Sequence, residues 1–322
     1  MATLLVVSSN DIASVRLGES LLKTVSWDKL DNRNQLEVYC SGTHYLWWKK
    51  GTAIFDNHVD LRFFEATGIT PDEVLFLSRH SAASGKPCLT VHPIGVLDKS
   101  TSPLKYGGLS GYCPPPSPTF SAWLNLLDGI AELDGIPEGF STSAEATHHG
   151  PVLNTPSLFI EVGSTELEWN NPIPALFWAR VLTIGFGMLE HSNKRVRILS
   201  QRVREIPQWP VIIGIGGGHY AVRHRAVVAE KAVLLGHIVP NWCFGESLAD
   251  GTFEQKHLHS VIESVIKSTK IAHPERELLA HIDRKSLKAP ARNQLLEVIR
   301  SFGIKVVRSK ELSLPPNSNL YS

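Results

Sequence analysis

The sequence has little of what usually makes a function easy to name. Only four of its 322 residues are cysteine (Cys40, Cys88, Cys113 and Cys243), and none form a C-x-x-C pair. That excludes a zinc knuckle and a thioredoxin-like dithiol. No apolar run is long enough to span a bilayer, and the opening MATLLVVSSND lacks the charged start of a signal peptide. These absences predict a soluble protein of the cell interior, cytoplasmic or also nuclear, with no membrane partner. An excess of either charge is missing too: 32 Lys and Arg against 31 Asp and Glu leave a formal +1, so a polyanion must be met by a local basic patch. The G-x-x-x-x-G-K-[ST] phosphate loop does not occur. G-x-G-x-x-G fails because His219 stands where the third glycine is required, and no G-x-S-x-G elbow follows a strand.

What is present is histidine, fourteen residues against two methionines. The chain is 43% apolar and 20% charged, an ordinary globular balance. Several short apolar runs end in chemically capable residues: EVLFLSRHSA (73–82), AEATHHGP (144–151), SLFIEVGSTE (157–166), VIIGIGGGH (211–219) and ELLAHIDRKS (277–286). Apolar throughout and not alternating, they predict strands buried on both faces of a parallel sheet. Helical stretches between them (122–133, 175–189 and 258–269) complete an α/β pattern, with helices on both faces of a mostly parallel sheet. Residues 211–239 read as one βαβ unit. Ligands of such sheets bind beyond the carboxyl ends of the strands, where all five polar tails are expected to open. One domain over 1–311, formed as a single body or two closely packed lobes, and a flexible tail over 312–322 complete the layout. The Gly/Pro/Ser-rich segment 99–120 predicts a long surface loop or lid.

The glycine run predicts a tight strand-to-helix turn with at least one positive φ and N–H groups free for an anion. It places His219 in the turn and His224 in the first turn of the next helix. EATHHGP supplies Glu145, His148 and His149. Neighbouring histidines in a strand point to opposite faces, so both reach one ligand only if the strand has already ended. Histidines with carboxylates such as Glu161 at strand ends suit acid–base chemistry or a metal site. His92 and His237, inside apolar runs, are expected to be hydrogen-bonded core residues. KRVRILSQRVR (194–204) reads as a solvated helix face. RKSLKAPAR (284–292), at a strand's carboxyl end, is better placed for phosphates.

Taken in order, SRHSA…GKPCLTVHPIG, EATHHGPV, FIEVGSTE, GIGGGHYAVRH and AHIDRKS resemble the archaeal and plant type of D-aminoacyl-tRNA deacylase, from the first strand to about residue 307. The sequence departs from that pattern at Arg284, where histidine is expected, and at Val222, where proline is expected. The resemblance implies hydrolysis of the ester joining a D-amino acid to the tRNA 3′ end, a chirality-proofreading step that extends to aldehyde-modified D-aminoacyl-tRNA. It also implies a phosphorylase- or hydrolase-like α/β fold and a zinc requirement. On this reading His80, Glu145, His148, His149 and His219 are catalytic, while Gly216, Gly217, Gly218, Lys285, Lys288 and Arg292 bind substrate. His148, His149, His224 and Glu161 are the expected zinc ligands. The protein is expected to act as a monomer without a stable protein partner. Alternatives are a metal aminopeptidase, a phosphate-requiring nucleoside transferase and a non-catalytic tRNA-binding protein.

Overall fold

A computed structural model describes residues 1–98 and 105–316. Twelve strands are present among them: β1 (Thr3–Ser8), β2 (Asp28–Lys29), β3 (Glu37–Ser41), β4 (His44–Lys49), β5 (Glu73–Arg79), β6 (Cys88–His92), β7 (Ser141–Ala144), β8 (Ser157–Gly163), β9 (Val211–Ile215), β10 (Leu234–Val239), β11 (Leu278–Ile282) and β12 (Lys305–Val307). The α-helices are α1 (Ile12–Thr24), α2 (Val59–Thr67), α3 (Phe120–Asp134), α4 (Glu166–Asn170), α5 (Pro172–Gly185), α6 (Lys194–Arg204), α7 (Val222–Glu230), α8 (Gln255–Ala272) and α9 (Ala289–Ser301).

The strands form two sheets. The larger runs β2-β3-β4-β1-β5-β8-β6-β7, and the smaller, parallel throughout, runs β10-β9-β11-β12. In the larger sheet β4, β1, β5 and β8 are parallel neighbours, and β6 enters antiparallel to β8. Continuous apolar strands arise because both faces are covered. Leu5 and Val7 of β1 join one core with α1, α3 and α5, while Leu4 and Val6 face a second core with Val59 and Phe63 of α2. In the smaller sheet Ile213 and Ile215 pack on α8 and α9, whereas Ile212 turns toward Val227 and Val228 of α7. The first core runs without a break from the larger sheet to Ile212, Leu235 and Leu279 of the smaller one.

Two connections fix the site. Asp11 caps α1 by accepting from the Ala13 and Ser14 N–H groups, and its other oxygen accepts from Arg79 N–H at 2.9 Å, which anchors the exit of β5. Residues 145–147 form a seam between the sheets. Ala146 N–H donates to His219 O, Thr147 N–H to Ile238 O, and Glu145 bridges Tyr220.

The segment expected as a surface loop differs from that expectation. Residues 99–104 lie outside the described residues, but Cys113–Ser117 are buried. Pro114, Pro115 and Pro116 have no N–H to satisfy, so this stretch can cross the interior cheaply, and the Pro114 carbonyl accepts from His237 Nε2–H at 3.1 Å. At the other end, Ala232 N–H donates to Ser313 O, so the expected tail begins tied to the fold; residues 317–322 lie outside the described residues.

Candidate active site

A cavity of about 970 Å³ opens where the exits of β5, β7 and β9 converge. β7 ends at Ala144, so Glu145, His148 and His149 belong to irregular backbone and need not alternate as in a strand. His149 adopts a left-handed conformation (φ 46°), which brings its ring beside that of His148, with centroids 4.4 Å apart. His92, the last residue of β6, completes the group: its ring centroid lies 4.0 Å from that of His148 and 4.8 Å from that of His149.

The three imidazoles share one arrangement. His92 Nδ1–H donates to Pro93 O at 3.1 Å, His148 Nδ1–H to Ala146 O at 2.8 Å, and His149 Nδ1–H to Gly150 O at 2.7 Å. A carbonyl can only accept, so each ring carries its proton on Nδ1 and its lone pair on Nε2 when neutral. One ligand atom from each of the three lies within 4.8 Å of the others. His92 Nε2 is buried without a hydrogen-bond partner. Such a set of tethered imidazoles is the donor chemistry of a zinc site.

Beside it lies a carboxylate–histidine network. Glu145, fully buried, places Oε2 at 2.8 Å from His219 Nε2 and 3.7 Å from His148 Nε2, and Oε1 at 3.0 Å from His80 Nδ1. Glu161 reaches His80 Nδ1 at 3.4 Å and His92 Nε2 at 3.5 Å. Burial disfavours a charge on His80, but the hydrogen bonds and charges of Glu145 and Glu161 outweigh it and push its pKa up to about 11. Burial would also raise Glu145, yet His219, His80, His92 and His148 hold it well below the usual carboxylate range. Burial would lower His92, yet Glu161 and Glu145 raise it above the usual imidazole value; burial and then the charge of His92 lower His148 well below that value and His149 to about 4. The network therefore holds carboxylates charged and the double histidine neutral.

Residues 67–307 match the family model for D-aminoacyl-tRNA deacylase. The chain belongs to the D-aminoacyl-tRNA deacylase family. A D-aminoacyl-tRNA deacylase of Arabidopsis thaliana is 32% identical, over 97% of this chain and 100% of the relative. One from Archaeoglobus fulgidus is 29% identical over 96% and 97% of the two chains. A crystal structure of a conserved protein of unknown function superposes with a TM-score of 0.73 at 27% identity, covering 96% of each chain.

Within this deacylase-family fold, His80, Glu145, His148, His149, His219 and Glu161 come together as one cluster. His224 does not join it. It lies beneath β9, with Nδ1 at 2.9 Å from His281 Nδ1 and Nε2 at 3.3 Å from Gly216 O, and a Cβ on Gly214 would meet its ring at 2.7 Å. The metal grouping gains His92 in its place. The sequence pointed to the core instead, since apolar residues flank His92 on both sides, LTV before it and PIG after it. His237 is the core residue expected, bonded to Thr147 Oγ1 and Pro114 O.

Gly216 and Gly217 have φ of 96° and 94°, as the turn requires. None of the three glycines lines the cavity, and two of their N–H groups are already engaged: Gly216 N–H donates to Val239 O, and Gly217 N–H to Ser286 Oγ at 2.8 Å. The turn delivers His219 to the cleft. Nor do all five strand tails share one edge. The residues after β11, including Lys285, line a second cavity, while Lys288 is exposed at the start of α9 and Arg292 half-buried in its first turn. Trp242, 44% exposed, stacks beside His219 at the rim of the histidine cleft and had no sequence signal.

Proposed function

We propose that this protein hydrolyses the ester joining a D-amino acid to the 3′ end of tRNA, removing the wrong enantiomer before translation uses it, and that zinc assists. The observation that carries this reading is the pairing of three tethered imidazoles with a dyad of buried Glu145 and partly exposed His219 in one cleft of a deacylase-family fold. Neither the family match nor the relatives favour the aminopeptidase alternative. Four free thiols support a reducing compartment, and we take the protein to be a cytoplasmic monomer. Among the described residues no helix is long and apolar enough to cross a membrane.

His92, His148 and His149 would hold the zinc, with Glu161 beside His92. Bound there, the ion would supply Lewis acidity toward an ester carbonyl and lower the pKa of a water. The chain's own residues do the rest. Glu145 Oε2, 2.8 Å from His219 Nε2, favours the His219 tautomer that carries the proton there and leaves the Nδ1 lone pair to accept a proton from water. Oxygen of that water bonds to the ester carbonyl carbon. The bond from carbonyl carbon to ribose oxygen then breaks, and the ribose oxygen takes the proton back from His219. Glu145 stabilises the intervening imidazolium. Protonated His80 donates from Nε2 to the Tyr220 hydroxyl oxygen at 3.0 Å, leaving the tyrosine proton available to a substrate oxygen. Rejection of the L-ester is steric, through protein atoms in the volume its side chain needs.

The test is ester loss from matched D- and L-aminoacyl-tRNA, with and without a chelator. D-selective, chelator-sensitive loss is expected. Equal loss of both enantiomers, or cleavage of free peptides alone, would reject this reading.

A further inference from the structure

Across the glycine turn from the histidine cleft, a second cavity of about 730 Å³ opens at the carboxyl ends of β11 and β12. From β9 the chain crosses to β10 on one side, while β11 pairs on the other. That reversal is the switch point at which open parallel sheets take their ligands. The walls carry six cations, Arg223, Arg284, Lys285, Arg300, Arg308 and Lys310, against the acids Glu230, Asp283 and Glu311. Asp283 is engaged by Arg223 Nε at 3.0 Å, and Glu311 accepts from Arg308 N–H. The side chains of Arg284, Lys285, Arg300 and Lys310 have no ion-pair or hydrogen-bond partner among the described residues. In a chain of net charge +1, this is a concentrated positive field with nothing folded against it.

The two cavities share a partition. A Cβ on Gly217 would sit 3.7 Å from Asp283 Oδ2, on the wall of the basic cavity. Two residues later His219 enters the histidine cleft, and four residues after that Arg223 lines the basic one. One short segment thus feeds both.

We propose that the basic cavity binds backbone phosphates of the tRNA acceptor stem while the ester end occupies the histidine cleft. This rests on the reading of the substrate as an aminoacyl-tRNA. The cations favour an RNA backbone over a small phosphorylated ligand because all six are exposed and come from separate elements: the start of α7, the exits of β11 and β12, and the end of α9. A pocket for a small anion buries converging donors, whereas a solvated row of Lys and Arg suits repeated phosphates.

The experiment measures binding of uncharged tRNA to the full chain by fluorescence anisotropy over a salt series. Arg284→Glu with Lys310→Glu is compared with Lys194→Glu with Arg202→Glu, an equal charge change on α6. The cavity pair should lose at least about tenfold in affinity near 0.1 M salt and about two units of salt slope, with the α6 pair within about twofold of wild type. Arg284→Gln with Lys310→Gln, a milder change, should show a smaller loss in the same direction and guards against misfolding of the reversed pair. Wild-type binding by both cavity variants, or an equal loss in the α6 pair, overturns the proposal. So does tight binding of inorganic pyrophosphate or AMP that the cavity variants abolish while tRNA binding is unchanged. Uncharged tRNA has no ester, so failure of the deacylation reading would leave this result standing, whereas intact deacylation with unchanged binding removes only the cavity.

Discussion

The imidazoles of His92 and His148 lie with centroids 4.0 Å apart and planes inclined by 31°, although one ends a strand and the other follows one. Each is held by its own main-chain carbonyl, so neither ring needs a ligand to stay in place. Pre-set rings of this kind lower the ordering cost of holding an ion.

His92 is therefore expected to matter as much as the double histidine. His92→Ala should reduce zinc bound to the purified protein to near zero and lower deacylation by at least about a hundredfold. His149→Ala should do the same. Zinc content and turnover at wild-type levels would return His92 to the core-packing role expected from its apolar neighbours.

Removal of the dyad should act on the chemical step. His219→Ala and Glu145→Gln should each lower kcat about a hundredfold or more, with the KM for tRNA little changed. The double variant should be no worse than about threefold below the poorer single variant, because the two groups work as one unit. Multiplicative losses in single-turnover kinetics would show that they act separately.

The glycines should separate by what surrounds them. A Cβ on Gly216 would stand 2.8 Å from Ser286 Oγ and 3.2 Å from Asp283 O, while on Gly217 the nearest atom is 3.7 Å away. Both positions have positive φ, which costs alanine about 1 kcal/mol. Gly216→Ala should thus lower Tm clearly more than Gly217→Ala. Gly217→Ala should lose far more activity than stability, through the displaced His219. Proportionate losses would mean that the turn matters for folding alone.

Acid should destabilise the fold through buried neutral histidines. Burial lowers His273 to about 4, and neither of its ring nitrogens has a hydrogen-bond partner. An unfolded histidine titrates near 6.5, so between about pH 6.5 and 4 the unfolded chain binds the extra proton. Stability therefore falls as pH falls through that window, by up to about 1.4 kcal/mol per pH unit for each such group. His273→Phe should show a smaller drop in Tm between pH 7.5 and 5 than the wild type; an identical drop would assign the effect to other residues.

How far this was legible in the sequence depended on the range of the interaction. β5, β8 and β9 announce themselves because strands covered on both faces are apolar along most of their length. The turn at Gly216 and Gly217 was legible because few residues other than glycine adopt its φ. The antiparallel entry of β6 between β8 and β7 was not, since pairing partners far apart in sequence leave no local trace. His92 looked like core because apolar neighbours surround it equally whether a strand ends in the interior or at a cleft. The three prolines after Cys113 misled for a physical reason: they mark turns in sequence, but lacking N–H groups they also travel well through a core.

The seam at residues 145–147 sets an order on the birth of the site. A chain still being synthesised carries His80, His92, Glu145, His148, His149 and Glu161 long before the carbonyl that fixes Thr147 exists. Until Ile238 has been added, the Thr147 N–H just before the double histidine has no partner. The larger sheet can be assembled and the imidazoles present, yet the centre is incomplete. Its completion reports that both sheets have emerged and met.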